Sequence, residues 1–184
     1  CSINHISVFW KAIWGYMAIE HSNDYSKIVD DPNKMPGAKW FPGVQMNYAE
    51  NLLRIRTEKP AIYFKNENNT TKVLSFKELF NSVEKLVSAL KNIGIESGDR
   101  VAGFVPNIPE TVIAMLSAAT TGCIWSSSSP DFGIKGVLDR FIQIKPTILF
   151  ATNGYYYNGK EYDLTKRINQ IVDQLPSLKK VIII

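Results

Sequence analysis

Arg100-Val101-Ala102-Gly103-Phe104-Val105, followed by Pro106-Asn107-Ile108-Pro109, is the stretch on which the fold turns. A short apolar run that stops at a proline turn reads as a buried strand, and Pro109 suits the first turn of a helix, where its missing N–H has no partner to lose. Val112, Ile113, Leu116 and Ala119 then recur at helical spacing and predict the buried stripe of that helix. Strand, turn and amphipathic helix in this order open a parallel crossover unit.

Downstream the plan repeats. Cys123-Ile124-Trp125 reads as the next strand, with Ser126-Ser127-Ser128-Ser129-Pro130-Asp131 as its polar exit into a helix carrying Ile134, Val137, Leu138 and Phe141 on one face. Strand Thr147–Phe150, a loop from Asn153 to Glu161, helix Asp163–Leu175 and strand Lys180–Ile184 follow. Leu164, Ile168, Ile171, Val172 and Leu175 mark the inner face of the last helix. The alternation predicts an α/β fold with a mostly parallel, doubly wound sheet covered by helices on both faces. A sheet that stops in a strand with no crossover after it is expected to be the opening portion of a larger protein. The absence of an initiating Met fits that expectation.

Upstream, Ala61–Phe64 and Lys72–Leu74 flank a polar Asn66–Thr71 tip and predict an antiparallel hairpin. Ser75 stands three residues before Glu78 as a capping box, Val83, Leu86, Val87 and Leu90 supply a helix face, and Gly94 is placed to stop the helix. Before the hairpin, Ile6, Phe9, Trp10, Ile13, Trp14 and Met17 give an amphipathic helix, and the Pro- and Gly-rich segment from Asp31 to Gly43 reads as an extended strap. A short helix over Asn47–Leu53 ends this lead-in segment, so the expected division is 1–53, helical and extended, and 54–184, an incomplete α/β subdomain.

Composition narrows the function. With 45% hydrophobic and 11% aromatic residues the chain is a globular domain, and a net charge of +4 without a basic stripe points away from nucleic acid. The apolar stretch Val112–Trp125 is broken by Ser117, Thr120, Thr121 and Gly122, so membrane insertion is not expected. Without a signal-peptide pattern, a cytosolic location is the expectation. Cys1 and Cys123 form no disulfide framework, and no His, Cys, Asp or Glu spacing resembles a zinc site. His21 is expected near a helix end, and Asp99 with Arg100 as a turn pair.

Ligands of open α/β sheets collect beyond the carboxyl ends of the strands, which singles out Pro106-Asn107, Ser126–Gly133 and Asn153–Lys160. The hydroxyl run either caps a helix or presents donors to a polar ligand. Gly154-Tyr155-Tyr156-Tyr157-Asn158-Gly159-Lys160-Glu161 approaches the spacing of a triphosphate-binding loop. Glu161 stands where that loop needs Ser or Thr, and three tyrosines would obstruct its wrap around phosphates. Two readings remain there: Lys160 and the amides near Gly159 meet an anion, or the segment is a solvated turn.

Several motifs carry a resemblance. Trp40-Phe41-Pro42-Gly43, Asn47–Leu53, Gly98-Asp99-Arg100-Val101, Ile124-Trp125-Ser126-Ser127, Ser129-Pro130-Asp131-Phe132-Gly133, Gly136–Phe141 and Tyr157-Asn158-Gly159-Lys160-Glu161 resemble the acetoacetate-activating branch of the adenylate-forming acyl-CoA synthetase superfamily. The resemblance covers essentially the whole chain and implies the N-terminal part of the large, AMP-binding domain of such an enzyme. It implies an acid–thiol ligase: acetoacetate attacks the α-phosphate of ATP to give an acyl-adenylate and pyrophosphate, and CoA then displaces AMP. It also implies Mg2+ for the complete protein, with the phosphate grip, the adenine site and the adenylation lysine in the rest of the large domain and a mobile C-terminal domain. No catalytic residue is therefore assigned to these 184 residues, which are expected to be inactive by themselves. The resemblance assigns CoA contact to Ser129, Asp131, Tyr157, Asn158, Gly159 and Lys160. Lys160 matches a basic position of acetate-activating relatives, whereas Tyr157 stands where they carry arginine. Another short-chain acyl-CoA synthetase, or a noncatalytic CoA-binding segment, is the alternative.

Overall fold

The computed structural model describes residues 2–184. Cys1 lies outside the described residues, and Cys123 is a buried free thiol whose pKa burial pushes up. The chain divides into two compact units, one ending at Leu52 and one spanning Leu53–Ile184.

In the first unit, α1 (Ile6–Met17) buries no residue fully. Its apolar face is covered through aromatic contacts instead: Trp14 stacks on Phe41 at 4.4 Å, and Tyr25 and His21 meet Trp14 edge-on at 5.7 and 5.1 Å. Such rings hold a small unit together by large apolar area and edge-to-face electrostatics. His21 therefore belongs to an aromatic cluster rather than to the helix terminus expected for it, since α1 already ends at Met17. The strap has no regular element beyond a Val29–Trp40 bridge and leads into α2 (Tyr48–Leu53). There Asn51 ties back to Glu20 through two hydrogen bonds of 2.9 Å.

The second unit opens with the hairpin β1 (Pro60–Lys65) and β2 (Thr71–Ser75), which runs straight into α3 (Phe76–Asn92). Both halves of the capping box are made: Ser75 Oγ accepts from the Glu78 amide at 3.2 Å, and Glu78 accepts from the Ser75 amide at 2.8 Å. At the other end Gly94, at φ +78°, lets its own amide reach the Lys91 carbonyl and that of Ile95 reach Leu90, a Schellman stop. Ser75→Ala is expected to lower unfolding stability by about 1 kcal/mol in urea titrations. Hydrogen bonds from Ser75 depress the Glu78 pKa. The Glu78 half of the box is therefore intact above the ordinary carboxylate pKa and is lost as pH falls through the lower folded value.

Then come β3 (Arg100–Phe104), α4 (Pro109–Thr120), β4 (Ile124–Ser128), α5 (Ile134–Ile144), β5 (Ile148–Ala151), the pair β6 (Gly154–Tyr157) and β7 (Lys160–Asp163), α6 (Thr165–Val172) and β8 (Lys180–Ile183). The main sheet is parallel throughout, in the order β4-β3-β5-β8. Val137, Leu138 and Phe141 of α5 and Ile168 and Ile171 of α6 pack on one face with Phe104 and Leu149. Leu90 of α3 and Ala114 and Ala118 of α4 pack on the other with Val101 and Phe150. This is the doubly wound arrangement expected from the alternation of elements.

Three details depart from the sequence reading. On α4 the buried residues are Pro109, Ala114, Leu116, Ser117 and Ala118, while Val112, Ile113 and Ala119 are only half-buried. The helix packs against both α3 and β4, so close approach favours small side chains over a single aliphatic stripe. Asp99 and Arg100 do not pair: Asp99 accepts from the Glu96 amide at 3.0 Å and Arg100 donates to the Lys145 carbonyl at 3.3 Å. The last helix is shorter than Asp163–Leu175, because Asp163 closes β7 and its carboxylate accepts from the Thr165 amide at 2.7 Å. Among the described residues no helix is long and apolar enough to cross a membrane.

Candidate functional site

Phe104 faces Ser128 on one side and Ala151 on the other, so β3, β4 and β5 end together. The chain leaves β3 through α4 on one face of the sheet and leaves β5 toward α6 on the opposite face. Adjacent strands whose exits diverge open a crevice beyond their carboxyl ends. A cleft of about 570 Å³ lies there. Val105–Ile108 and Thr111 form one wall, Ser127–Asp131 another, Thr152 and Gly154–Tyr157 a third, and Phe64–Glu67 of the first hairpin the fourth. Thr111 Oγ1 donates to the Pro106 carbonyl at 2.7 Å and fixes the turn after β3.

The serine run is partly strand. Ser126, Ser127 and Ser128 pair with Ala102, Gly103 and Phe104, so β4 extends three residues beyond the apolar segment that marked it in the sequence. A parallel ladder is made by backbone groups and accepts serine side chains, and periodicity of apolar residues does not report such a strand. Ser128 Oγ is buried at the cleft edge without a hydrogen-bond partner among the described residues. A buried hydroxyl left unpaired is costly, which makes it a ready contact for a polar group entering the cleft.

Ser129 and Asp131 close on each other. Ser129 Oγ donates to Asp131 Oδ2 at 2.9 Å. The N-cap of α5 is Gly133, with no side-chain hydrogen bond, so neither the hydroxyl run nor Asp131 caps this helix. Burial, and then the Asp131 carboxylate, raise the Tyr155 pKa, and the Tyr155 ring stacks on Tyr162 at 5.2 Å. Arg167 on α6 donates to the Pro130 carbonyl at 3.0 Å and holds the loop from behind. Arg167 escaped sequence reading. Its signal was positional, a charged residue one turn from the buried Leu164 and beside the buried Ile168.

The expected loop from Asn153 to Glu161 is a hairpin, with Tyr157 facing Lys160 and Tyr155 facing Tyr162. Asn158 and Gly159 take φ of +51° and +71°, the two left-handed positions of a tight hairpin turn. The Asn-Gly pair is the sequence signal for this turn. Of the six residues assigned to CoA contact, Ser129, Asp131 and Tyr157 line the cleft. Asn158, Gly159 and Lys160 sit at the hairpin tip, outside the lining, where the Gly159 amide donates to Glu67 Oε2 at 3.0 Å. Asn66 and Glu67, read from sequence only as a polar tip, contribute to the cleft wall.

Residues 50–184 match the family described as AMP-binding enzyme, and residues 1–52 match the acetyl-coenzyme A synthetase N-terminus. The chain belongs to the AMP-binding enzyme family. Acetoacetyl-CoA synthetase of Macaca fascicularis is 42% identical over 186 residues, which cover 100% of this chain and 28% of the relative. Malonamoyl-CoA synthetase vrtB of Penicillium aethiopicum is 35% identical over 189 residues, covering 99% of this chain and 26% of the relative. The solved structure of acetoacetyl-CoA synthetase from Streptomyces lividans superposes with a TM-score of 0.94 at 39% identity, over 99% of this chain and 28% of that one. The chain thus spans little more than a quarter of the length of these relatives.

The donor set along the cleft is one of hydroxyls, amides and scattered single charges. Among the described residues no three His, Cys, Asp or Glu side chains cluster so as to hold a metal ion.

Proposed function

We propose that these residues form the CoA-facing portion of an acid–thiol ligase that converts acetoacetate, ATP and CoA to acetoacetyl-CoA, AMP and pyrophosphate through an acyl-adenylate. The observation that carries this reading is the convergence of Ser129 and Tyr157, from two motifs far apart in sequence, on one cleft at the carboxyl edge of the sheet. In this reading the pantetheine arm lies along the hydroxyl-lined cleft, with Ser128 and Ser129 as polar contacts, and the phosphates meet Lys160 at the rim. ATP, Mg2+ and the chemistry at phosphorus are assigned to polypeptide outside these residues.

A related acid is the second reading, favoured by the likeness to a malonamoyl-CoA synthetase. Malonamate and acetoacetate are both short carboxylates with a carbonyl at the β position, so the two relatives share an acid class that acetate lacks. The test is acetoacetate-dependent pyrophosphate release by the native gene product carrying this sequence, followed by transfer to CoA, with malonamate and acetate as competitors. Preference for acetate would overturn the acid assignment. Lys160→Ala is expected to raise the KM for CoA roughly two- to five-fold, more at low salt, and to leave adenylate formation unchanged. Equal loss in both steps would contradict the role given to Lys160.

A further inference from the structure

Glu67 belongs to the tip between β1 and β2, yet it lines the cleft and reaches across to the tip of β6–β7, where its carboxylate accepts the Gly159 amide at 3.0 Å. The two residues are 92 positions apart in sequence. The amide it occupies lies beside Lys160, in the turn that reads from sequence either as an anion contact or as a solvated turn. Space around Gly159 is open: a methyl group added there would meet nothing within 4 Å, so no packing prevents a larger anion from approaching. Glu67 is itself exposed, and no salt bridge fixes its charge among the described residues. A carboxylate on an exposed amide is readily exchanged for another oxyanion, because both make the same charge-assisted hydrogen bond.

We propose that Glu67 is a built-in competitor for the phosphate-bearing end of the ligand, a clasp between two hairpin tips that an incoming phosphate must displace. The inference rests on the CoA reading of the cleft and adds to it a residue that sets the selectivity for phosphate. Two consequences follow. With Glu67 on Gly159, the rim carries a negative charge that opposes a phosphate and offsets the attraction of Lys160. Ligands lacking phosphate, such as pantetheine, have no reason to displace the clasp and do not register it.

The test uses the native gene product carrying this sequence, with binding of CoA and of pantetheine measured by calorimetry for the wild type, Glu67→Gln and Glu67→Ala. Glutamine keeps an oxygen that can accept the Gly159 amide while removing the charge. CoA is expected to bind Glu67→Gln roughly two- to five-fold more tightly, the gain shrinking as salt is raised, with pantetheine unchanged. Glu67→Ala is expected to show the same gain for CoA. Unchanged or weaker CoA binding by Glu67→Gln would overturn the clasp, and so would Glu67→Ala weakening both ligands alike, which is the signature of a purely structural tie. Wild-type chain that binds CoA while Glu67→Gln shows no gain leaves the CoA reading standing and removes only the clasp. Wild-type chain that binds neither ligand overturns both.

Discussion

Phe104→Ala is expected to destabilise the chain by about 3–5 kcal/mol, the usual cost of emptying a buried aromatic site. Phe104 is fully buried at the carboxyl end of β3, where it packs with Leu138 and Phe141 of α5 and with Leu164. Both neighbouring strands are paired to it, so the sheet has little freedom to collapse into the void. A domain of this size has a total stability of only about 5–15 kcal/mol, so the loss consumes a large part of it. Urea titration measures the effect as a lower midpoint at similar slope. Tyr63→Ala provides the contrast: Tyr63 is 76% exposed, and its change is expected to stay within about 0.5 kcal/mol. Equal losses in the two variants would contradict a core centred under the cleft.

Gly154→Ala is expected to cost about 1–3 kcal/mol and to weaken CoA binding on the order of ten-fold. Gly154 pairs with Asp163 at the base of the second hairpin, and a Cβ there would lie 2.9 Å from the Tyr162 carbonyl oxygen. Neither partner is the end of a flexible side chain, so β6 and β7 must part. Thr152 Oγ1 also donates to the Gly154 carbonyl at 2.8 Å, which couples the shift to the end of β5 and to the cleft wall. Gly133→Ala is the control, since its backbone is extended and nothing lies within 4 Å of the added methyl. Thermal melts and CoA titrations on the two variants separate a local clash from a general effect of added bulk. A Gly133→Ala loss as large as that of Gly154→Ala would contradict the clash.

Sequence pattern located β3, β5, α3, α5 and α6 because each buries an apolar face, from Val101 and Phe104 on β3 to Ile168 and Ile171 on α6. It failed where burial is not aliphatic. Ser126–Ser128 belong to an edge strand whose backbone pairs regardless of side chain, and α4 is buried through Ala114, Ser117 and Ala118, which carry a weak hydrophobic signal. The second hairpin was hidden by a competing motif, although Asn158-Gly159 announces a turn by chemistry alone. Within the candidate site, Ser129 and Tyr157 were legible from resemblance. Arg167 and Glu67 were not, because each acts through a contact that only the folded chain brings together, 37 and 92 residues away respectively.

The most direct measurement is a backbone NMR titration of this chain with CoA. Saturable shifts are predicted for the amides of Ser127, Ser128, Ser129, Asp131, Thr152 and Tyr155–Tyr157, with Gly159 and Lys160 responding to CoA but not to pantetheine. No saturable change, or changes confined to residues away from the carboxyl ends of β3, β4 and β5, would contradict a CoA-binding cleft at this edge of the sheet.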